Sequence, residues 1–95
     1  MAILMIGYDL NPETPDADLR REHVVEAIKS LSDSYFHSLE ATWLVQTDIA
    51  PRDVAAFIWR QMHRTDELLV APLDLQTAVW AGFGEKYDAW LQDHF

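Results

Sequence analysis

The sequence predicts an α+β domain in which two strand–helix–strand halves share one antiparallel sheet. Three observations carry that expectation. The chain opens on a continuous apolar run, Ala2 to Tyr8, of the kind that forms a strand buried on both faces. Two amphipathic helical stretches each lead into a further strand-like segment. Between the helices lie two short segments rich in β-branched and aromatic residues, Tyr35–Leu39 and Thr42–Thr47.

Each element has a local reason. The opening strand ends at Asp9, and Asn11-Pro12-Glu13-Thr14-Pro15-Asp16 is a loop, because two nearby prolines break both ladder pairing and helix. A helix starts near Asp16 or Asp18, since Asp suits a helix N-terminus. Its apolar stripe is Leu19, Val24, Ala27, Ile28 and Leu31, and Glu26 and Lys29 have pairing distance. Ser32-Asp33-Ser34 is a turn. Glu40-Ala41 is short enough for a tight hairpin between the two central strands, although it lacks an Asn-Gly pair. On the second of these strands Trp43 and Val45 share one face, and Thr42, Leu44 and Gln46 share the other.

The second helix restarts over Asp48 to Asp53, where Pro51 fits the first turn and Asp53 its positive end. Val54, Phe57, Ile58, Gln61 and Met62 make its stripe, Trp59 lies off it, and Thr65-Asp66 ends the helix. Glu67 to Leu73 reads as the last strand, with Pro72 implying an edge or terminal position. The order βαββαβ is the ferredoxin-like split βαβ pattern, a four-stranded antiparallel sheet with both helices on one face. The opposite face must be polar, covered by the C-terminal segment, or buried in a dimer. That segment, residues 74–95, is apolar and aromatic with a bend at Gly82 and Gly84. It ends in a short helix over Glu85–Phe95 bearing Tyr87, Trp90, Leu91 and Phe95 on one side. A helix of that length does not stand alone and must dock, on its own sheet or on another subunit.

Composition narrows the function. Ninety-five residues, 49% hydrophobic and 24% charged, make one domain with one main core over residues 2–73 and exclude intrinsic disorder. The absence of Cys excludes disulfides and thiolate metal sites. No stretch is long enough to span a bilayer, and the opening apolar run is too short and lacks the basic flank of a signal peptide, so a cytoplasmic protein is expected. Sixteen acidic against seven basic residues give a net charge of −9, which disfavours broad coating of nucleic acid.

Several side chains could carry chemistry. Arg20 and Arg21, and Arg60 with Arg64 one helical turn on, could gather into a phosphate-binding patch together with Arg52, or be paired with carboxylates. His23, His37, His63 and His94 lie far apart without metal-ligand spacing and read as structural. Among the four tryptophans, Trp43 reads as core. Trp80 and Trp90, with Phe83, read as a dimer interface, where aromatics are favoured.

The opening strand ending Gly7-Tyr8-Asp9-Leu10, followed by Ser34-Tyr35-Phe36-His37-Ser38-Leu39 and Thr42-Trp43-Leu44-Val45-Gln46-Thr47-Asp48, resembles a group of short bacterial proteins labelled "SinR family". That group is similar to the Cas-two family of small CRISPR-associated adaptation proteins and to the VapD toxins. The resemblance covers roughly residues 2 to 73. It implies a ferredoxin-like homodimer with facing sheets, in which the segment after the fourth strand often crosses to the partner. It also implies that Asp9, after Tyr8, stands where family members carry an Asp proposed to bind a divalent metal for phosphodiester cleavage. Such an ion, Mg²⁺ or Mn²⁺, takes hard oxygen ligands, and two Asp9 carboxylates at a dimer axis could share one, with Tyr8 helping to position them. The alternative is that Asp9 caps the turn with Asn11 and Pro12. Two functional expectations follow: a non-catalytic dimeric scaffold that meets a protein partner such as an antitoxin or a nuclease, or a metal-dependent endonuclease acting on RNA, as a toxin–antitoxin component.

Overall fold

The computed structural model describes residues 2–94. The elements run β1 (Ala2–Asp9), α1 (Ala17–Lys29), β2 (Tyr35–Leu39), β3 (Thr42–Thr47), α2 (Pro51–Trp59), β4 (Glu67–Pro72) and α3 (Glu85–His94). The sheet has the order β2-β3-β1-β4, and every neighbouring pair is antiparallel. This is the ferredoxin-like arrangement that the element order predicts, with β1 and β3 central and β2 and β4 at the edges.

The apolar run of β1 is buried on both faces because each face has its own core. Leu4 and Ile6 join Trp43 and Val45 of β3 under Val24 and Ile28 of α1 and Val54 and Ile58 of α2. Ile3, with Phe36 and Leu44, forms a second core under Leu75 and Leu91, packed by Leu73, Ala78, Trp80, Phe83, Tyr87 and Trp90. The C-terminal segment therefore docks on its own sheet. Phe36 is its anchor, with ring centroids 5.1 Å from Phe83, 5.2 Å from Tyr87 and 5.7 Å from Trp90. His94 closes the end of α3: its Nδ1–H donates to the Trp90 carbonyl at 2.7 Å, and Nε2 meets the Ser34 hydroxyl at 3.0 Å. Phe95 lies outside the described residues.

Four local expectations are corrected. α1 begins at Ala17, where the sequence places it, but Asp16 is no side-chain cap: its backbone is left-handed at φ 61° and its carboxylate makes no capping bond. Leu19, expected on the stripe, is 50% exposed, because the core-facing residues of α1 begin at Val24. α2 ends at Trp59, so Gln61 and Met62 lie in turns closed by bonds to the carbonyls of Ile58 and Trp59. The early stop has a cause. Asp66 accepts a hydrogen bond from the His63 amide at 2.8 Å, which folds the chain back toward β4. Phe57 is exposed, leaving Val54 and Ile58 as the buried pair of α2.

Candidate functional site

Asp9 is the last residue of β1 and its side chain is exposed. Alternation along the strand sends Tyr8 and Asp9 to opposite faces. Tyr8 packs against the helix-side core, and its amide donates to the Ala41 carbonyl at 3.1 Å. Asp9 lies on the same face as Ile3, Met5 and Gly7, at the end that the C-terminal segment leaves open. There a trough of about 500 Å³ is lined by residues including Met5, Gly7, Asp9, Thr42, Glu67 and Leu69.

The register adds a residue that the sequence did not single out. Asp9 stands directly opposite Glu67 on β4. Two carboxylates side by side on a sheet repel each other in water, and as hard oxygen donors they suit Mg²⁺ or Mn²⁺. Among the described residues no group of three or more His, Asp or Glu side chains could hold a metal. One chain thus supplies two exposed carboxylates at this strand end. The spacing that would have revealed Glu67 is not local: it exists only once β4 pairs with β1.

The arginines separate. Arg20 is committed to the interior of the fold. Its Nε–H donates to Asp66 Oδ2 at 2.7 Å, and its other nitrogens reach Thr14, the Pro15 carbonyl and the Asn11 carbonyl. Asp66 is fully buried at the side chain and also accepts the amides of Asn11 and His63. Burial alone would raise its pKa. The Arg20 hydrogen bond, the two amides and the Arg20 charge outweigh burial, and the carboxyl titrates below its ordinary value. Arg21 is exposed, with a 3.3 Å contact to Asp18. Arg60 follows the last residue of α2 and Arg64 lies in the turns beyond, so the helical spacing expected to align them is lost. Arg52 is exposed on α2.

On the helix side a second cleft, about 470 Å³, is lined by residues including Tyr8, Asp9, Arg21, His37 and Glu40. His37 is held in place there. Its ring stacks on Trp43 at 3.8 Å, and Nε2–H donates to the Glu40 carbonyl at 2.9 Å. His63 accepts from the amide and hydroxyl of Thr65, and His23 is exposed. Trp43 is 1% exposed, as expected of a core residue, and its indole N–H has no partner. Trp80 donates to Asp88 at 2.7 Å and, with Phe83 and Trp90, is occupied within the chain's own second core. Trp59 is exposed beside a cavity between α2 and β4.

No helix among the described residues is long and apolar enough to cross a membrane. No family model and no curated protein matches the sequence. Among solved structures the chain is similar to Cas2 of Streptococcus pyogenes, crystallised at pH 6.5, with a TM-score of 0.60 and 20% identity over 84% of this chain and 99% of that one. At that identity the likeness is one of fold, and the fold of this chain is Cas2-like.

Proposed function

We propose that the chain is a dimeric Cas2-like interaction module without catalysis of its own, acting in the cytoplasm as a platform for a protein partner such as an antitoxin or a nuclease. One observation carries this reading. The sheet face opposite the helices is only half covered, and its open end presents Leu39 and Leu69, both half exposed or more, at the two ends of one cross-strand row through Thr42 and Gly7. An apolar patch rimmed by carboxylates is a surface for association. The homodimer with facing sheets, implied by the resemblance, would bury this patch. The "SinR family" and VapD likenesses belong to this same reading. Trp80, Phe83 and Trp90 border the interface in it, holding the C-terminal segment that limits the patch.

A second reading is favoured by the position of Asp9. It shares the open face with the patch, so a face-to-face dimer would bring two Asp9–Glu67 pairs toward one axis, and Mg²⁺ or Mn²⁺ bound there would supply charge stabilisation for phosphodiester cleavage. The acidity of the chain and the engagement of Arg20 weigh against a substrate as anionic as RNA. One experiment decides between the readings. Purified chain is incubated with structured and unstructured RNA and DNA under Mg²⁺, Mn²⁺ or EDTA, beside Asp9→Ala. The module reading expects no metal-dependent cleavage; cleavage that Asp9→Ala abolishes establishes the endonuclease. Sedimentation of the wild-type chain tests the dimer itself.

A further inference from the structure

Ser34 and His94 meet at the end of the sheet away from Asp9. The Ser34 carbonyl accepts from the Gln46 amide at 3.0 Å, and Gln46 stands opposite Ile3 near the start of β1. α3 brings His94 over this point, and three contacts fix its ring. Nδ1 lies 2.7 Å from the Trp90 carbonyl, the Trp90 ring stacks on it at 3.9 Å, and Nε2 lies 3.0 Å from Ser34 Oγ. A carbonyl only accepts, so Nδ1 carries the proton. In the neutral ring Nε2 is then a lone pair, and the Ser34 hydroxyl donates to it. A nucleophile, a base and a third group that orients the base are the geometry that activates a serine.

The pair does not lie sealed in the core. Both residues are half-buried, and His94 lines a cleft of about 350 Å³ together with Ile3, Leu73, Asp74 and Leu75. Ile3, Leu73 and Leu75 give that cleft an apolar wall, and its size suits a short carbon chain. Asp33, next to Ser34, and Asp74, on the cleft, are exposed, and the chain as a whole carries −9. Anionic molecules are repelled from such a mouth, and uncharged ones are not.

We propose that Ser34 is an acyl-acceptor site, activated by His94 toward a short, uncharged, activated acyl ester. Ser34 Oγ attacks the ester carbonyl carbon while its proton passes to His94 Nε2. The bond formed joins Oγ to the acyl carbon. The bond broken joins that carbon to the leaving oxygen, to which His94 hands the proton. The product is a stoichiometric Ser34 ester, not a turnover cycle. The amide of the attacking serine, a common oxyanion donor, is here committed to Ser32 Oγ at 3.0 Å. Without that donor both formation and hydrolysis of the ester are slow, so the acyl group stays and the non-catalytic reading above is untouched. Acylation removes the hydroxyl proton that Ser34 donates to His94, and the modified chain holds the end of α3 less firmly. The site is independent of the dimer.

The test incubates the full chain with p-nitrophenyl butyrate, follows nitrophenolate release and locates the butyryl group by peptide mass spectrometry. Ser34 is expected to label about 100-fold faster than Ser30 or Ser32 of the same chain, the gain a positioned base supplies. Unfolding in urea is expected to erase that preference. Ser34→Ala is expected to lose the fast release, His94→Gln to slow it about 100-fold, and Ser34→Cys, which keeps a nucleophile beside the base, to retain it. Circular dichroism melts check that each variant folds, and the comparison among serines of the wild-type chain stands without any variant. Label spread evenly over the serines, label on His94 itself, or no release above the buffer rate overturns the proposal. A folded His94→Gln chain that labels as fast as wild type overturns it too.

Discussion

Arg20 and Asp66 meet at 2.7 Å across 46 residues of sequence, in a pair whose carboxylate is completely withdrawn from solvent. Asp66 is the knot of this end of the sheet. It binds the loop after β1 through the Asn11 amide, the turn before β4 through the His63 amide, and α1 through Arg20. Asp9 and Glu67 are the residues at those two strand ends, so this pair holds both exposed carboxylates in register.

Removing one member of a buried pair strands the other. Asp66→Ala is expected to lower stability by about 3–5 kcal/mol, a large part of what a domain of this size possesses. Urea unfolding followed by circular dichroism measures it, and a loss below about 1 kcal/mol contradicts the role given to Asp66.

The pH dependence follows from the same residue. The folded-state pKa of Asp66 is lowered, so the unfolded chain binds more protons at acid pH and stability rises with pH there. Its contribution is complete above the unfolded carboxyl pKa of about 3.9 and is lost as pH falls through the lower folded value. Acid unfolding curves of wild type and Asp66→Asn should differ in slope below about pH 4 and run parallel above it. Equal slopes throughout would show that Asp66 gains nothing from its partners.

The docked C-terminal segment makes a packing prediction. Leu91 is the buried residue of α3 and lies in the second core with Phe36. Leu91→Ala is expected to cost about 2–5 kcal/mol, and Phe36→Ala about 3–5 kcal/mol. If α3 instead frays freely from the sheet, Leu91→Ala will leave the melting temperature unchanged.

Charge sets the salt response of the proposed dimer. Each chain carries −9, so association brings like charges together. Raising salt shortens the screening distance from about 10 Å at 0.1 M to about 3 Å at 1 M and should tighten the dimer. Dissociation constants measured across that range by sedimentation check the sign. Weaker association at high salt would mean that the interface is built on ion pairs, not on the apolar patch.

Much of the fold was legible because its signals are local. The uninterrupted apolar run of β1 announced two covered faces, and the alternation Trp43, Val45 against Thr42, Leu44 announced which side each would serve. Pro51 marked the start of α2, and β2 and β3 fell at their expected bounds. The helix-stripe readings failed at Leu19 and Phe57, which lie on their helices but face solvent, and α2 stops at Trp59 short of Gln61 and Met62, although Met62 still packs against the core.

By itself, the sequence determined the order and type of the elements, the acidity of the chain and the need of its aromatic C-terminal segment to dock. Periodicity, turn residues and composition act over a few neighbouring residues or over the whole chain, so they can be read along one dimension. Tertiary structure alone decided that Phe36 receives that segment, that Arg20 belongs to Asp66, that Glu67 faces Asp9 and that Gly7 lies bare beside Leu69. Each of these relations joins residues that come together only when β4 pairs with β1 or the C-terminal segment closes on β2. They are set by packing and desolvation across the folded sheet, which no local pattern encodes.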